Sequence, residues 1–82
     1  MGRTFDLTYR GRALSVRVYP VDNAWELWIC EKERRIVRAD VLSIDEAVLA
    51  RRSGVADPVA NAVGRIRQLV TCGEIVVPRR WT

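Results

Sequence analysis

Histidine is absent from this chain of 82 residues, and lysine occurs once, at Lys32, beside thirteen arginines. Without an imidazole, Ser-His-Asp and Cys-His catalysis are excluded, and so are histidine metal ligands. Cysteine is scarce: Cys30 and Cys72 lie far apart and form no C-x-x-C pair. One pair is too few for a secreted disulfide framework or for a tetrahedral zinc site. Both are expected to be free thiols, acting as small buried apolar side chains. The glycines make neither G-x-G-x-x-G nor G-x-x-x-x-G-K-[ST], so no phosphate-cradling loop is present. No apolar run approaches the ~18 residues of a membrane span. No apolar signal core follows Met1-Gly2-Arg3, and Asp6 stands where a myristoylation signal has Ser or Thr. A cytoplasmic protein is expected, with no membrane partner.

The remaining polar residues suggest no chemistry of their own. Asp45 and Glu46 are adjacent where a helix should begin, and Glu31 and Glu33 share a charged run with Lys32 and Arg34. Asp40 follows Arg38 by two residues, which predicts a surface ion pair on one strand face. Nothing brings two carboxylates into one cleft for acid-base work. The expectation is a protein that is not an enzyme, with no catalytic residue, cofactor or metal. The net charge of +4 is carried by arginine, which has two readings. Arginine forks onto phosphate and stacks on bases, but an arginine-rich, lysine-poor chain also fits a high-GC, bacterial-type coding sequence.

What the chain does contain is periodicity. Phe5, Leu7 and Tyr9, then Leu14, Val16 and Val18, then Trp25, Leu27 and Ile29 recur at every second position, as half-buried strands do. Turn signals separate them: Arg10-Gly11, then Asp22-Asn23 behind Pro20, then the charged run 31–34. Strands are predicted at 4–9, 13–19, 24–30 and 36–42. At Ser43 the period changes. Ser43-Ile44-Asp45-Glu46 reads as a capping box, and Gly54 as a stop. Asp57-Pro58 is an N-cap followed by proline at the first helical position. Val59, Ala62, Val63, Ile66, Leu69 and Val70 then form one apolar stripe. Helices are predicted at 44–52 and 58–72. The fold class is α+β: a four-stranded antiparallel meander followed by two C-terminal helices packed on one sheet face. A short fifth strand at 74–77 is compatible with the pattern. One domain spans 1–82, with 77–82 as a tail.

If the helices cover the face carrying Val16 and Leu27, alternation turns Arg17, Tyr19 and Trp28 outward, with Arg38 beside them. Glu26, Cys30, Asp40 and Asp6 are expected on the same face. Arg17, Tyr19, Trp28 and Arg38 are the candidate binding residues. Exposed aromatics and arginines are favoured anchors of protein interfaces, so a protein partner or self-association, through this face or a free strand edge, is the leading expectation. The alternative is single-stranded or structured nucleic acid, with bases on the rings and phosphates on the arginines. A third arrangement has Trp28 packed beneath residues 77–81.

Overall fold

Each hairpin closes on a two-residue turn. The structure, a computed structural model, describes residues 3–78. Within it β1 (Thr4–Tyr9), β2 (Arg12–Val21), β3 (Ala24–Glu31) and β4 (Arg34–Ser43) form one antiparallel sheet in sequence order. Tyr9 pairs with Arg12, leaving Arg10 and Gly11 in the turn at φ of 49° and 77°. Positive φ at both central positions matches the right-handed twist of the strands, and glycine takes it without strain. Val21 pairs with Ala24 around Asp22-Asn23. Glu31 pairs with Arg34, so the third turn is only Lys32-Glu33, tighter than the four-residue loop expected.

Pro20 does not end β2 as predicted; it pairs with Trp25 inside the strand. The reason lies in which neighbour its missing N–H would have served. Val18 donates to Arg3 O at 3.0 Å, so amides of that parity point towards β1. By Pro20, β1 (Thr4–Tyr9) has ended, so no ladder bond is lost among the described residues.

Ser43 is both the last residue of β4 and the N-cap of α1 (Ile44–Arg52). Its hydroxyl accepts from Glu46 N–H, and the Glu46 carboxylate accepts from Ser43 N–H, both at 3.1 Å. Ile44 N–H donates to Asn23 O at 2.9 Å, tying the helix start to the second hairpin. After Gly54 at φ 99°, Asp57 caps α2 (Pro58–Thr71) through Ala60 N–H.

The α2 stripe lies over the sheet. Val59, Ala62, Val63, Ile66 and Val70 are buried against Leu7, Leu14, Val16, Val18, Leu27, Ile29 and Leu42, while Leu69 stays partly exposed. Residues 74–77 form no strand. Val77 is instead buried in the same core, and Arg12 holds the segment by donating to Pro78 O at 2.8 Å. That puts Val77 on the helix side of the sheet and not over Trp28; residues 79–81 lie outside the described residues.

Leu27 and Ile66 have no exposed surface and lie at the sheet–helix contact. Truncating either to alanine should cost about 2–5 kcal/mol in a urea titration. A loss within about 0.5 kcal/mol, the range of surface substitutions, would contradict this packing.

Candidate binding face

Covering one side of the sheet leaves the other open among the described residues, and cross-strand register decides what stands there. Arg17, Trp28 and Arg38 are direct partners across β2, β3 and β4 and form one row. Tyr19, Glu26 and Val41 form the next. All four sequence candidates, Arg17, Tyr19, Trp28 and Arg38, are therefore on the open face.

Two shifts in the β3–β4 register change the rest. Leu27 faces Asp40 but Trp28 faces Arg38, and Ile29 faces Val37 but Cys30 faces Arg35. Ala39 and Ile36 are the extra residues, each a β-bulge that turns the following side chain to the other face. The first shift corrects the expectation for Asp40. It lies on the helix side opposite Leu27 and accepts from Arg65 of α2 at 3.1 Å. It makes no pair with Arg38. The second shift brings Arg35, which strict alternation had turned inward, onto the open face.

Arg35 lies across the rings. Its guanidinium carbon is 4.1 Å from the Tyr19 ring centroid and 5.3 Å from that of Trp28, within cation–π range. Arg38 instead donates to Glu26 Oε2 at 3.3 Å. The Trp28 indole N–H donates to the other oxygen, Glu26 Oε1, at 3.0 Å. Glu26 thus fixes the indole and one arginine together. The indole hydrogen bond is the main cause that holds its carboxyl below the usual 4.5; desolvation opposes it, and the Arg38 contact adds to the lowering. Arg17 has no acidic partner among the described residues, and its Nε–H is buried without an acceptor.

Alternation turns Cys30 to this face, yet it is fully buried, as expected of a small apolar side chain. Its thiol donates to Trp28 O at 3.7 Å. Cys72 has the opposite fate, exposed at the end of α2 instead of buried, and both thiols are free.

Sequence reasoning missed Arg35 and the two valines that give the face apolar area, Val21 and Val41, each about two-fifths exposed. A signal was present for Arg35. Ile36-Val37 is an adjacent apolar pair that breaks strict alternation, and both residues turn to the core at the bulge.

The sheet edges are less inviting than the face. Arg67 of α2 donates to Asp6 O, on the outer side of β1, at 2.7 Å. On β4 the bulges disrupt the edge, and Asp40 Oδ1 accepts from Val41 N–H at 2.8 Å. Such features oppose strand addition. Among the described residues, no three His, Cys, Asp or Glu side chains gather as metal ligands would, and no helix is long and apolar enough to cross a membrane. Comparison with protein-family models, curated proteins and solved structures gave no match.

The Glu26 contacts carry a pH signature. A carboxyl held below its ordinary value contributes stability above that value and loses it as pH falls through the lowered one. A carbon-detected NMR titration should place the Glu26 midpoint below 4.5. Trp28→Phe, which removes the indole donor, should move it upward. A wild-type midpoint at or above 4.5, or one unmoved by Trp28→Phe, would contradict the geometry.

Proposed function

We propose that this protein is a non-catalytic interaction module whose open sheet face binds a protein partner, a second copy of the chain included. The observation that carries this reading is the position of Arg35. It covers Tyr19 and Trp28, whose ring faces a stacked base would need. What is presented outward is Arg35 stacked on the two rings, with two exposed valines beside it and the indole and Arg38 fixed by Glu26. Central aromatic and arginine anchors of this kind dominate binding energy at protein interfaces. Holding their rotamers in advance lowers the entropy lost on association. The blunted edges favour docking on the face over strand addition. Two unpaired thiols suit a reducing compartment, and the proposed setting is the cytoplasm.

A second reading, binding of single-stranded nucleic acid, is favoured by the rotation of Asp40 to the other side. The face then carries Arg17, Arg35 and Arg38 against only Glu26 and Asp6. Glu26 is committed to Arg38 and Trp28.

Two measurements separate them. Light scattering over a concentration series should show mass above that of the 9.4 kDa chain, and Trp28→Ala should return it to monomer. Mixed-sequence single-stranded oligonucleotides should show no saturable binding near physiological salt. Saturable binding that weakens steeply with salt, and whose salt slope flattens in Arg17→Ala, would replace the protein reading with the nucleic-acid one. A protein monomeric at every concentration, with Trp28→Ala and wild type equally unable to retain a crosslinked partner, would remove the first reading.

A further inference from the structure

A second surface lies on the helix side, away from the open face. The start of β3, the outer side of α1 and the first turn of α2 enclose a groove of about 360 Å³. Its walls are apolar: Trp25, Ile44, Val48, Pro58 and Val59. Ile44 and Val48, one helical turn apart, are each more than two-fifths exposed there, although α1 has the neighbouring core to pack against. This volume is near the lower end of the range for small-molecule sites.

The charges on the rim are unevenly committed. Arg3 gives both terminal nitrogens to the Asp57 carboxylate, at 3.0 and 2.8 Å. Asp57 also accepts from Ala60 N–H as the cap of α2. These contacts hold its carboxyl down at about 2, so it stays ionised and paired throughout the physiological range. Arg51, in the last turn of α1, also lines the groove. It has no acidic partner among the described residues. Around an apolar hollow, one cation is unspent.

We propose that this groove binds a small monocarboxylate with an apolar body, its carboxylate forked on the Arg51 guanidinium and its body against Trp25, Val48 and Val59. A guanidinium matches a carboxylate with two parallel hydrogen bonds, which sets the orientation of the ligand. A single free arginine neutralises one negative charge and leaves a phosphate dianion half compensated, so the site favours carboxylate over phosphomonoester. The apolar wall supplies affinity in proportion to the area covered.

The test is an amide-detected NMR titration of the full chain with 4-phenylbutyrate, beside its neutral analogue 4-phenylbutanamide. Saturable shifts should appear at the Trp25 indole N–H and at the amides of Val48 and Val59. The neutral analogue should bind at least fivefold more weakly. Arg51→Gln, on an exposed position, should lose the same factor for the carboxylate and leave the analogue unchanged. Should Arg51→Gln fail to fold, the comparison of the two probes on the wild type still decides. Shifts that never saturate, that scatter over the surface, or that are equal for acid and amide would overturn the proposal.

Discussion

Two extra residues in β4 organise this molecule. Were β4 strictly alternating, Arg38, Asp40 and Ile36 would share the outer face and Arg35 would point into the helix layer. The bulges at Ile36 and Ala39 convert the outward spacing to three, so that Arg35, Arg38 and Val41 face out together. Val37, Asp40 and Leu42 face the helices, and Ile36 and Ala39 themselves pack against the core. A ladder hydrogen bond lost at a bulge costs on the order of 1 kcal/mol net. Burying much of an isoleucine offsets an amount of that order, and the Asp40–Arg65 pair adds a little more. Neither energy is large. The consequence for the surface is, because a single-residue slip would exchange an arginine for a carboxylate on the open face.

The same constraint divides the work of the two sides. The helix side is covered by α2 and by Val77, and no charged or polar side chain is buried in it among the described residues. The open side is organised by polar and cation–π contacts centred on Glu26 and Arg35. The contacts of the core and those of the open face thereby involve different residues, and a substitution at Arg35 should leave the core untouched. Arg67 and Asp40 then blunt the two edges, so the contacts a sheet most readily makes with another sheet are opposed.

Most of the architecture was legible because each local signal agreed with the next. Alternation at 14, 16 and 18 and at 25, 27 and 29 met turn residues on both sides, and the Ser43 capping box marked the change of period. Pro20 misled because a proline's effect depends on whether a neighbouring strand needs its amide, which is tertiary information. The binding face was half legible. Arg17, Tyr19 and Trp28 lie on regular strands, where parity suffices. Asp40 and Arg35 lie beyond bulges, where it does not, and the adjacent pair Ile36-Val37 was the only trace.

The position of Arg35 is where these strands of reasoning meet, and it can be measured directly. In a carbon-edited NOESY spectrum of the wild-type chain, the Arg35 δ protons should show cross-peaks to the rings of both Tyr19 and Trp28. They should also be shifted upfield by the ring currents, while Asp40 β protons contact α2 through the Arg65 side chain. Arg35 protons at unstructured-chain shifts with no ring cross-peaks, together with Asp40 contacts to Arg38, would mean that β4 is regular and that the face has the opposite electrostatics.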